Sequence, residues 1–295
     1  RGLIPSLVLA ELEQRSGRRV HELFDFVAGT STGGILAAAL TRPDPPPATE
    51  VVGLYEREGP EIFSRSLLKR ITSADGNLDE RYESTGLVAA LRRHLGAHRL
   101  SEALVDVLIT AYELEDRFAF LFRSSRARTD PAYDFALADA AHATSAAPTY
   151  FEPVRVRDAA GARSYALVDG GVYATNPSMV AIAELGHERI DLLLSLGTGS
   201  LTRPLPFEQA RGWGRLEWAS RIVDVVFDGV ADTVGFEAGQ LLGDRYVRLQ
   251  TQLDDASDDL DDASAANLAA LRREAERLIA RESATLDRVV AALSA

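Results

Sequence analysis

The 295-residue sequence contains no cysteine, one methionine, two tryptophans and a single lysine, Lys69. Without cysteine there are no disulfides, no thiol nucleophile and no cysteine-ligated metal site. No uninterrupted apolar run approaches the roughly 20 residues that span a bilayer. Basic residues are outnumbered, 32 Lys plus Arg against 44 Asp plus Glu, for a formal charge of -12. Nucleic-acid backbones and strongly anionic membranes are therefore repelled on average, and no nucleic-acid partner is expected. No H-E-x-x-H spacing or calcium-ligand loop occurs, so neither a metal nor an organic cofactor is expected.

What is present is enough apolar residue, 46% of the chain, for one large core or a core with a helical extension. Four stretches carry chemistry. In the first, Phe24, Phe26, Val27 and Ala28 read as a buried strand, Gly29-Thr30-Ser31-Thr32-Gly33 as a tight turn and Ile35 to Leu40 as a helix. This is the G-x-S-x-G pattern of a nucleophile elbow, which exposes the serine at the strand end and puts its hydroxyl at the positive end of the next helix. There the Thr32 amide can donate to an oxyanion. A glycine-rich turn that only packs, or one that cradles a phosphate, fits the pentapeptide as well. The other stretches are Ala143-Thr144-Ser145-Ala146-Ala147-Pro148, the strand end Leu167-Val168-Asp169-Gly170-Gly171 with Asn176-Pro177 beyond it, and Gly197-Thr198-Gly199.

In this order the four stretches resemble the patatin-like phospholipases over most of the first two hundred residues. The resemblance implies a Ser-Asp dyad, with Ser31 as nucleophile and Asp169 as its base. It also implies an oxyanion hole in which Thr32 is joined by a glycine loop ending in Arg1 and Gly2, the rest of that loop being expected upstream of Arg1. The expected substrates are phospholipids, lysophospholipids or other acyl esters, with peripheral membrane contact and no identified protein partner. The alternative is a silent or activator-gated patatin-fold protein that binds acyl lipid or a partner. The expected location is cytoplasmic or peripheral to a membrane; secretion stays open, because a signal peptide would precede Arg1.

Strands alternating with helices predict a three-layer α/β/α sandwich with a mostly parallel central sheet. Residues 1–253 are expected to form the catalytic domain, and 254–295 an acidic linker and a helical extension, one helix or a pair, packing on it. Residues 203–218, with Trp213 and Trp218, read as a loop or lid whose tryptophans dip into lipid or pack inside. Pro60 to Arg70 reads as a helix carrying Arg65, Lys69 and Arg70. His142 is the one histidine near a motif that a Ser-His-Asp triad could recruit, and Ser145 is a competing serine in helical context. Asn176 is expected either to orient the Asp169 loop or to cap the helix after Pro177.

Overall fold

A computed structural model describes residues 1–62, 85–200, 205–257, 259 and 262–294. The basic stretch Arg65, Lys69 and Arg70 lies outside the described residues. The helices of eight residues or more and the strands run α1 (Leu3–Ser16), β1 (Phe26–Gly29), α2 (Thr32–Thr41), α3 (Ala48–Ile62), α4 (Thr85–Leu95), β2 (Asp106–Glu113), β3 (Phe118–Arg123), α5 (Leu137–Thr144), β4 (Val154–Arg157) and β5 (Ser164–Asp169). They continue with α6 (Ser178–Leu185), β6 (Leu193–Leu196), α7 (Arg215–Leu242), β7 (Tyr246–Leu249), α8 (Ala265–Arg281) and α9 (Ser283–Leu293).

The α/β/α arrangement is as expected. The sheet takes the order β1-β2-β5-β4, with β3 also on β2, and β6 pairs with β7 separately. Parallel pairing occurs where strands alternate with helices, at β1 beside β2 and at β6 beside β7. The other pairings, β2 with β3, β2 with β5 and β4 with β5, are antiparallel. The loops 114–117 and 158–163 are too short for a parallel crossover and so make hairpins.

The register sets the site. Gly29 at the end of β1 lies opposite Ile109, and Ala111, two residues further along β2, lies opposite Asp169 at the end of β5. Two distant stretches thus meet across one central strand. That strand is anchored by Leu108 and Ile109, both fully buried. Around them Phe120, Phe122, Phe135 and Tyr165 stack edge to face or tilted, Phe120 to Phe122 at 4.8 Å and Phe120 to Tyr165 at 4.6 Å between centroids. Such pairs add to simple area burial. These side chains are core.

In the second half one expectation is revised and one open alternative is decided. The 203–218 segment is a loop only in part: α7 already begins at Arg215, where the Glu217 carboxylate accepts from the Gly214 amide at 3.0 Å. That contact satisfies one of the amides a helix start leaves unpaired. The C-terminal residues form a helix pair, broken at Glu282, and its buried positions Leu271, Ala275, Leu278 and Leu286 join the core that contains Leu3, Ile4 and Leu12 of α1. Among the described residues no helix is long and apolar enough to cross a membrane.

Candidate active site

The turn between β1 and α2 holds Ser31 at φ 56° and ψ -125°, outside the regions an L-residue prefers. Such a conformation costs about 1 to 3 kcal/mol and persists only where neighbours enforce it. Three contacts do so. The Ser31 amide donates to Thr144 Oγ1 at the end of α5, at 2.9 Å. Thr30 Oγ1 shares a hydrogen bond with Thr110 Oγ1 on β2, at 2.8 Å. A Cβ on Gly29 would lie 2.2 Å from the Gly33 carbonyl oxygen, so the turn closes as tightly as it does because residue 29 has no side chain.

Asp169 comes to the same place from the other side of β2. Its amide donates to the Ala146 carbonyl at 2.9 Å, and its Oδ1 accepts from the Gly171 amide at 2.7 Å. The Ser31 side chain lies near enough to draw the carboxyl pKa down, as the Gly171 amide does. The group is 4% exposed, and loss of hydration raises its pKa to about 6, against the smaller opposing pull of Ser31 and Gly171. A carboxylate so placed is a better proton acceptor than a solvated one and is still largely ionised at neutral pH.

Of the positions expected to bind an oxyanion, Thr32 follows the serine directly and Gly2 packs against Thr32. Thr32 opens α2, so its amide is among those with no carbonyl partner inside the helix. Its hydroxyl is bonded to the Tyr55 hydroxyl at 2.6 Å, and Tyr55 also donates to the Thr32 carbonyl at 3.3 Å. Burial pushes the Tyr55 phenol up to about 12, so it stays a hydrogen-bond donor. Gly2 runs directly alongside: a Cβ there would stand 2.0 Å from Thr32 Oγ1 and 2.6 Å from the Tyr55 ring. Arg1 reaches the fourth motif, donating from Nη1 to the Gly199 carbonyl at 3.3 Å.

The competing residues fall elsewhere. Ser145 Oγ donates back to the Ala141 and His142 carbonyls of its own helix, at 2.7 and 3.1 Å. His142 lines a surface cleft with Arg92, Asp139 and Glu152, and its buried Nε2 has no hydrogen-bond partner among the described residues. Burial first, and then the charge of Arg92, lower its pKa to about 4. Asn176 Oδ1 accepts from the Ser178 amide at 3.2 Å and the Ser178 hydroxyl at 2.7 Å, so it satisfies the first amide of α6, whose cap residue is Pro177. Thr144, Thr110 and Tyr55 are the contributors the sequence reading missed. Thr144 stood inside a stretch already singled out; Tyr55 had no local signal, sitting at an apolar position of a helical pattern. Among the described residues no three His, Cys, Asp or Glu side chains converge as metal ligands would.

Known proteins bear on this geometry. The Patatin-like phospholipase family model matches residues 1–182. Patatin-like protein 2 of Arabidopsis thaliana is 31% identical over 97% of this chain and 82% of its own length. Patatin-17 of Solanum cardiophyllum is 28% identical over 95% of this chain and 81% of its own. Among solved structures, VipD from Legionella pneumophila aligns with 95% of this chain and 65% of that chain, at 11% identity and a TM-score of 0.34, too distant to add to the assignment. A match that carries both the elbow and the Asp-Gly-Gly loop, extended by relatives over nearly the whole chain, places the protein in the patatin-like phospholipase family, whose activity is lipid acyl hydrolysis.

Proposed function

We propose that this protein hydrolyses carboxylic esters of phospholipids, lysophospholipids or related acyl lipids through a Ser31-Asp169 dyad. The observation that carries the reading is a buried Asp169, its carboxyl raised to about 6, brought across β2 to the side of a serine held at positive φ. Ser31 Oγ attacks the ester carbonyl carbon while its proton passes to Asp169. The carbonyl oxygen becomes an oxyanion beside the Thr32 amide and the Arg1-Gly2 backbone. Collapse expels the alcohol, which takes the proton back from Asp169 and leaves an acyl-serine. Water then attacks the acyl carbon, giving its proton to Asp169. Breakdown frees the fatty acid and returns that proton to Ser31 Oγ. Holding the two side chains on strand ends either side of β2 lowers the orientational cost a solvated pair would bear. The expected place of work is the cytoplasm or the face of a membrane.

The test measures release of p-nitrophenol from a short-chain ester and of fatty acid from phosphatidylcholine. Ser31→Ala and Asp169→Asn are expected to lower turnover about 1000-fold or more, with His142→Ala near the parent. Equal loss at His142 would replace the dyad by a triad. Absence of turnover in the parent, with lipid and divalent ions supplied, would favour the silent or activator-gated reading.

A further inference from the structure

Helix α7 is apolar on two faces, and among the described residues only one of them has a partner. Its inner face places Ala238 and Leu242 against Ile182 and Ile190, all four buried. On the outside, Trp218, Ile222, Val225, Val226 and Phe236 are all exposed, Phe236 at 68%. At 100° per residue four of these side chains fall within about 60° of one another, with Val226 about 40° to one side. From Trp218 to Phe236 the stripe runs about 27 Å along the axis. Phe207, 73% exposed, stands just ahead of the helix. Four apolar side chains cluster over residues 218–226, and after a gap holding Gly229, Asp232 and Thr233 the same face resumes at Phe236; an exposed apolar patch of this kind marks a contact surface.

Three observations select the partner. Helix α7 backs onto the Asp169 loop, where the Thr175 hydroxyl donates to the Phe227 carbonyl at 3.3 Å. The stripe begins with paired indoles, Trp213 and Trp218 at 5.3 Å and nearly perpendicular, and ends in Phe236, the rings that favour the headgroup level of a bilayer. The sequence of α7 carries five acidic residues, Glu217, Asp224, Asp228, Asp232 and Glu237, against two arginines, which disfavours an anionic surface. We propose that the outer face of α7 is the surface by which this protein lies on zwitterionic phospholipid, the helix in the plane of the interface. The proposal rests on the lipid hydrolase reading and adds to it where the lipid is met.

The two tryptophans of the chain both belong to this region, so the protein carries its own reporter. The chain with Ser31→Ala, which separates binding from chemistry, is expected to co-sediment with phosphatidylcholine vesicles and to shift its tryptophan emission to the blue. Ile222→Asp combined with Phe236→Asp is expected to weaken that binding about tenfold or more, and Phe236→Ser alone to weaken it less. With Ser31 intact, the same substitutions are expected to leave hydrolysis of a soluble p-nitrophenyl ester unchanged, which also verifies folding. Vesicle binding unaffected by both variants would overturn the proposal, as would tighter binding to phosphatidylserine. A dimer of the parent that the substitutions split, with no vesicle binding, would assign the face to a second copy and overturn it as well. Loss of ester turnover in Ser31→Ala tests the dyad separately.

Discussion

Asp169 couples activity and stability in opposite senses. Its folded pKa of about 6 lies above the ordinary 3.8, so the folded state holds the proton to higher pH than the unfolded chain does. Stability therefore falls as pH rises between those values, and the penalty is complete above pH 6. A shift from 3.8 to about 6 corresponds to about 3 kcal/mol at neutral pH. Asp169→Asn removes the charge, so thermal melts at pH 7.5 are expected to show the inactive variant more stable than the parent, the gap closing as pH falls toward about 4. Turnover of the parent is expected to rise through pH 6 as the base ionises. A melting gap that does not change with pH would show that burial is not what perturbs the carboxyl. Ser31 offers a second residue-scale measurement. Ser31→Ala keeps a Cβ at positive φ and Ser31→Gly does not, so the glycine variant is expected to be the more stable of the two by about 1 kcal/mol in urea unfolding.

Among the elements, α5 does the least conspicuous work. Its sequence, Leu137 to Thr144, is half alanine, which lets it sit closely against α2 and β2 and bring Thr144 Oγ1 to the Ser31 amide. Thr144→Val preserves the volume and removes the acceptor. Leaving that amide unpaired costs about 1 to 3 kcal/mol, and ester turnover is expected to fall at least in proportion as the elbow relaxes. Unchanged kinetics would mean that the turn is held by Gly29 and Thr30 alone. This contact also marks the limit of what a sequence makes legible. The elbow and the Asp-Gly-Gly loop could be read because their rules are local: a strand, a turn that needs glycine, a helix start. Thr144 and Thr110 act across gaps of 113 and 80 residues, which no periodicity encodes. The direction of β3, β4 and β5 was hidden for a related reason, since an apolar strand reads the same whichever way its neighbour runs. Glycine, proline and tryptophan made 203–218 look irregular, whereas the capped start at Arg215 depends on the spacing of Gly214 and Glu217.

At the scale of the molecule the question is whether residues 254–295 unfold with the rest. Their apolar positions share a core with α1, and the acidic stretch before them is tied down by buried polar groups. Glu274, 1% exposed, accepts from the Asp254 and Asp255 amides at 3.1 and 3.0 Å, and Asn267 Oδ1 accepts from the Ser257 amide at 2.8 Å. Glu274→Ala leaves two backbone donors without their acceptor and opens a small void, a loss of about 2 to 5 kcal/mol. Because α8 is packed on α1, that loss is expected to fall on the whole fold. Urea unfolding followed by far-ultraviolet circular dichroism, which sees every helix, and by tryptophan emission, which sees residues 213 and 218, should give one coincident transition moved to lower denaturant. If only the helical signal melts early while emission and ester turnover persist, the C-terminal pair is a separately folding unit. The shared core of Leu3, Ile4, Leu271 and Leu278 argues for the coincident result, since none of these side chains can be exposed without uncovering the others.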